Sequence, residues 1–254
     1  MSHARTRLVR FGAVALASGA ALSTLGGAAA AGAATTPAGS GTGAVPTTLA
    51  GIKAKAATDT TDRVNDLNAA IAMVNAAKSL GTGQATLASY LGTDIGPLQQ
   101  LNQTIQGDST LQQATHDFGT IFTGYRVYRL VLPAARIDGL ADSATSTGIP
   151  KLTADAAKAQ ARVTAANQAT VQPLITDLNS QITSATNATN GLAGTVLAFT
   201  PAQWNANTAL LDTSISSART AKAALQKGRS DLRQIVQDLK ADHAAATSTT
   251  TTTS

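Results

Sequence analysis

Residues 211–239 read LDTSISSARTAKAALQKGRSDLRQIVQDL. Apolar side chains recur there at Leu211, Ile215, Ala218, Leu225, Leu232, Val236 and Leu239, in an alternation of three and four residues. Such spacing keeps one face of an α-helix against a partner, so about four heptads of coiled-coil-like seam are predicted, interrupted at Lys222 and Arg229. Upstream, Thr200 stands before Pro201. A threonine hydroxyl suits the N-cap, and the N–H that proline lacks has no partner at the first helical position. The last helix is therefore expected to start at Pro201, to carry Trp204 and to run to about Ala244.

The same periodicity extends backward. Residues 151–199 read as another long helical stretch whose first part, LTADAAKAQARVTAANQA, has alanine where a leucine core would be usual. Pro173 should kink or break it. Leu174, Leu178, Ile182, Leu192, Val196 and Phe199 then resume the stripe, with a four-four stutter through 174, 178 and 182. Shorter helices are expected at about 84–106 and, after the cap signal Asp108-Ser109, at about 109–146, which contains Pro133. The first helix is expected at about 49–80. Val64, Leu67, Ile71 and Val74 share one face, Asp59 and Asp62 precede them, and Gly81 and Gly83 follow as C-cap glycines. The fold class this predicts is all-α: an elongated, antiparallel coiled-coil-like bundle of about five helices, two of them very long, occupying 49–244. Alanine and glycine at contact positions allow helix axes to approach toward ~8 Å.

Both ends differ from this domain. Arg5, Arg7 and Arg10 precede a short apolar stretch, 11–25, and a run of small residues up to Ala34. That is the pattern of a secretory signal peptide, 1–34, with cleavage near Ala33 or Ala34; a retained leader acting as an anchor is the alternative. Residues 35–48 (TTPAGSGTGAVPTT) read as a flexible linker, and 245–254 as a disordered Thr/Ser tail. The leader holds three of the 19 basic residues and none of the 14 acidic ones, so the rest of the chain has 16 against 14, a net charge of +2. A balance so close to neutral argues against a nucleic-acid partner. No stretch after the leader reaches the ~18 apolar residues of a stable membrane span.

Composition excludes several chemistries. All 14 acidic residues are Asp, and the 254-residue chain has no Cys. Disulfides, thiol nucleophiles and thiolate metal sites are therefore out, as are a zincin-type HExxH base and the closing glutamate of an EF-hand. His116 with Asp117, and His243 beside Asp242, have no metal-ligand spacing, and no GxSxG or GxxxxGK[ST] occurs. No cofactor, metal or catalytic residue is expected. The one candidate contact region is aromatic. Phe118, Phe122 and Tyr125 share a helical face, and the chain continues through Tyr125, Arg126, Tyr128 and Arg129 to Arg136. Rings and guanidinium groups there could hold an anionic envelope polymer or a sugar phosphate. The competing reading makes the aromatics core mass, with the arginines paired to Asp117, Asp138 or Asp142.

The strings YRVYRLVLP (125–133) and LAFTPAQWNAN (197–207), with the leader and the alanine-rich helices, resemble a group of secreted alanine-rich helical proteins of actinobacteria. The resemblance implies export and a helical rod, and it carries no activity. The function expected from the sequence is that of an exported non-enzymatic structural or interaction module of the envelope or extracellular space, self-associating or binding an envelope component through its helical seam. The alternatives are a membrane-active helical protein and a binder of anionic polymers through Tyr125 to Arg136.

Overall fold

A computed structural model describes residues 46–250, with side chains through Asp242. The expected leader at 1–34, the linker as far as residue 45 and the last four residues of the tail lie outside them. Among the described residues there is no strand. The protein is an all-α bundle.

Helix α1 (Leu49–Ala76) begins where expected, with the Thr48 hydroxyl accepting from the Gly51 N–H at 3.1 Å. Asp59 and Asp62 are not at its start. Asp59 is buried in mid-helix and holds Lys55, one turn earlier, at 2.9 Å. After a 3₁₀ turn (Lys78–Leu80) the chain passes Gly81 at φ +57°, a left-handed position that suits glycine. The expected helix 84–106 is two: α2 (Gly83–Gly92) and α3 (Ile95–Gly107). Pro97 explains the division. It cannot donate to the Thr93 carbonyl and its ring crowds that oxygen, so the helix restarts with proline in its first turn.

Helix α4 (Leu111–Thr123) is capped by Thr110, and the chain then turns at Gly124–Arg126. From Val127 to Gln160 it is continuously helical: a π-turn (Val127–Val131), α5 (Leu132–Ser143), a second π-turn (Ala144–Gly148) and α6 (Ile149–Gln160). Each π-turn stands just before a proline at the second helical position, Pro133 or Pro150. A widened turn accommodates the ring and the missing N–H without ending the helix. The sequence divided this region near residues 147–150. The structure divides it instead at 124–126 and 161–167, where buried Asn167 accepts from the Thr164 N–H at 2.7 Å and fixes the loop. Helix α7 (Gln168–Thr189) then carries Pro173 in its second turn without breaking.

The cap at Thr200 forms. Its hydroxyl accepts from the Gln203 N–H at 3.3 Å, and Gln203 Oε1 accepts from the Thr200 N–H at 2.9 Å. The helix it starts is only α9 (Pro201–Ala206), preceded by the short α8 (Leu192–Leu197). The Asn207 side chain accepts from the Ala209 N–H at 3.0 Å and turns the chain, so the last helix is α10 (Asp212–Thr250). It runs six residues past Ala244, into the segment whose composition reads as unstructured. Extending a formed helix needs no new nucleus, so threonine's weak propensity does not stop it at once.

The core is three clusters. α1–α4 close on Ile52, Leu67, Leu91, Leu98, Ile105, Phe118 and Ile121. α6, α7 and α10 close on Leu152, Val171, Ile175, Leu178, Leu225 and Ile235. α5, α8 and the start of α10 join them through Leu130, Ile137, Val196 and Leu211. Asp177 of α7 meets Lys227 of α10, and ten residues on Asn187 lies across from Ser216 and Ser217, so the pair is antiparallel. The seam exists, but its register differs from the one read from large side chains. Buried positions from Leu211 along α10 are Leu211, Ser214, Ala218, Ala221, Ala224, Leu225, Gly228, Asp231 and Ile235, whereas Val236 is 38% exposed. The alternate contact positions are thus 214, 221, 228 and 235, each one residue before those read from the sequence. Lys222 and Arg229 do not interrupt the seam; they lie beside it.

Candidate functional site

The aromatic segment faces α1. Phe118 and Phe122 meet edge to face at 5.1 Å, and the Arg63 guanidinium of α1 lies 4.6 Å from the Phe122 ring centre and 5.0 Å from that of Tyr128. Arg63 is buried and donates through Nη1 to the Asp59 carbonyl at 2.7 Å. The Tyr128 hydroxyl donates to Asp66 Oδ2 at 2.7 Å. Burial pulls the Arg63 pKa down, while Tyr128 and the carboxylates of Asp59, Asp62 and Asp66 oppose that shift. Burial first, then the bond to Asp66, pushes the Tyr128 phenol up. The rings supply the face that a desolvated cation needs.

Spacing around the aromatics does not reveal this arginine, which stands more than fifty residues earlier in the chain. The signal was in α1: Arg63 is flanked by Asp59, Asp62 and Asp66, one turn or less away on either side. The five candidate residues do not converge. Tyr125 is half-buried against the first core cluster. Arg126 has φ 49° and ψ 33°, the one left-handed non-glycine among the described residues, and its Nε donates to Asn205 Oδ1 at 2.6 Å. Asn205 Nδ2 in turn donates to the Thr123 carbonyl at 3.0 Å, so this corner is tied to α9. Tyr128 turns to α1, and Arg129 and Arg136 are exposed. The aromatics are core mass as the packing reading had it, but Arg126 pairs with an asparagine and not with the expected aspartates.

One of those aspartates has a different setting. Asp138 of α5 is 2% exposed, with no hydrogen bond to Oδ2. Burial, and then the neighbouring Asp142, raise its pKa to about 7. Tyr90 of α2 is raised to about 12 by burial, then by Asp94 and Asp138, and its hydroxyl is also unpartnered. Asp142 packs against Gly83, where a Cβ would collide with its carboxylate. Protonated, Asp138 sits in this apolar setting at lower cost than its anion.

Between α7 and α10 lies an open groove of about 580 Å³, lined by Ser180, Thr183, Asn187, Ser216, Ser217 and Thr220 among others, with no charged side chain. His116 is exposed on α4, and the side chain of His243 lies outside the described ones. Among the described residues no three potential metal ligands cluster, and no helix is long and apolar enough to cross a membrane. No protein-family model, curated protein or solved structure matches the chain.

Proposed function

We propose that this is an exported, non-enzymatic helical protein that acts as a structural or interaction module in the cell envelope or extracellular space, as its resemblance to secreted alanine-rich helical proteins of actinobacteria implies. The observation that carries the export half is the leader: Arg5, Arg7 and Arg10, then 11–25 apolar, then small residues through Ala34. The interaction half is supported by the use made of the polar groups where helices meet. Arg63 and Tyr128 bond α1 to the aromatic segment, and Asn205 bonds α9 to Arg126, so these side chains hold helices together.

Expression of the full chain in an actinobacterial host, followed by fractionation and mass spectrometry of its N-terminus, tests this reading. Chain beginning near Ala34 or Thr35 in the medium or envelope is the expected result. Unprocessed protein confined to the cytoplasm overturns it.

A further inference from the structure

The charges of α10 are sorted by face. At about 100° per residue, Arg219, Lys222, Arg229, Arg233 and Lys240 fall within a strip about 80° wide, whereas Asp231, Asp238 and Asp242 lie on the opposite side of the helix. Only Asp212, in the first turn, approaches the line of the strip. The strip runs along the edge of the seam, since each of Lys222 and Arg229 follows a buried seam residue, Ala221 and Gly228. Arg219, Arg233 and Lys240 are exposed, and Lys222 and Arg229 are half-exposed. None of the five is in an ion pair among the described residues, although Lys227, on the acidic side, holds both Asp177 and Asp231. From Arg219 to Lys240 the row measures about 31 Å along the axis.

We infer that this row of five cations on α10 is the surface that binds a flexible, linear, phosphate-bearing polymer laid along the helix. Three of the five are arginines, whose forked guanidinium groups match phosphate oxygens. Their spacings of 3, 7, 4 and 7 residues repeat no fixed distance, which suits a chain that can adjust its own path. No aromatic side chain lies on the strip to stack a base, which a single-stranded nucleic-acid groove would use. Val236 is the one exposed large apolar side chain described on α10, and Ile215, in line with the strip one turn before Arg219, is packed against the third core cluster, too little to insert into a lipid surface. The earlier candidates Arg129 and Arg136 belong to α5 and the turn before it, and are not part of this row.

The inference deepens the interaction-module reading and rests on it. Exported, processed protein that ignores phosphate polymers breaks the inference alone. Protein that binds them yet stays unprocessed in the cytoplasm breaks that reading alone.

The test is binding of labelled long-chain polyphosphate to the full chain, by fluorescence anisotropy across a salt series. The triple variant Arg219→Gln/Arg229→Gln/Arg233→Gln is expected to lose at least tenfold in affinity. By analogy with single-stranded polyanions, its slope of log K against log salt should fall by about 2. The triple Arg→Lys variant should keep the slope, and Arg129→Gln/Arg136→Gln should bind like the parent. Equal helicity by circular dichroism shows that the variants are folded. Absence of binding by the parent at 50 mM salt, or a triple Gln variant that binds as tightly as the parent, overturns the inference. Tighter binding of duplex DNA or of phosphatidylglycerol vesicles through the same arginines also overturns it, in favour of those partners.

Discussion

Around Arg63 the helices are kept apart by large side chains; around Gly228 they are drawn together by the lack of them. In the first region α1 and the segment 118–128 enclose two phenylalanines, a tyrosine and a guanidinium group. In the second, Ala224 and Gly228 of α10 lie against α6 and α7, and a Cβ on Gly228 would stand 3.2 Å from Leu178 Cδ1 and 3.3 Å from Leu152 Cδ1. Large side chains fill the first region and small ones the second. The first gains from the hydrophobic effect and must shelter a charge, while the second relies on helix propensity and close backbone approach.

Substitutions should separate the two modes. Phe118→Ala removes a 4%-exposed ring and its edge contact with Phe122, and is expected to destabilise by about 3–5 kcal/mol in a denaturant titration. A loss below about 1 kcal/mol would mean that the aromatic region is not core.

Next in size is a pH effect from buried Asp138 of α5. The pKa of Asp138 is raised to about 7 in the folded protein, against about 4 when unfolded, so between these values the folded state holds the extra proton. Stability from this group is complete below pH 4 and is lost as pH rises through 7, and Asp94 and Asp142 shift in the same direction. The unfolding free energy read from denaturant titrations should therefore fall from pH 5 to pH 8 by an amount on the order of 3 kcal/mol, and Asp138→Asn should flatten the fall. A variant with the parent's pH profile would show that Asp138 is not the responsible group.

The seam gives smaller numbers. Gly228→Leu should cost about 1–3 kcal/mol by overpacking against Leu178 and Leu152. Gly228→Ala should come out near zero, because the propensity gain of about 0.5–1 kcal/mol is offset by two tight methyl contacts. Thermal melts of both variants check this, and a Leu variant as stable as the parent would place Gly228 outside the seam.

Much of the architecture was legible in the sequence, because periodicity and caps are local. Val64 and Leu67 are buried on one face, as their spacing required, and the cap at Thr200 forms. What escaped was decided by small side chains and by prolines. A reading weighted toward large apolar groups chose Ile215 and Val236, whereas Ser214, Ala221 and Gly228 make the contacts because they allow close approach. Pro97 divides a helix read as one, while Pro133 and Pro150 are absorbed into π-turns and Pro173 is carried through. Proline alone does not say which outcome the neighbours permit. At the candidate site, the aromatic cluster was visible as a stripe, but its cation comes from Arg63, more than fifty residues away in the chain, which no local spacing reveals.

The antiparallel seam, in which Lys227 meets Asp177 of α7 and Arg229 lies about 160° away around α10, underlies both the fold and the cationic strip. The chain has no cysteine of its own, so pairs can be installed cleanly. With a short bis-maleimide, Asp177→Cys/Lys227→Cys should cross-link rapidly within one chain, and Asp177→Cys/Arg229→Cys should not. Equal or faster linkage of the second pair would contradict the register and remove the strip with it.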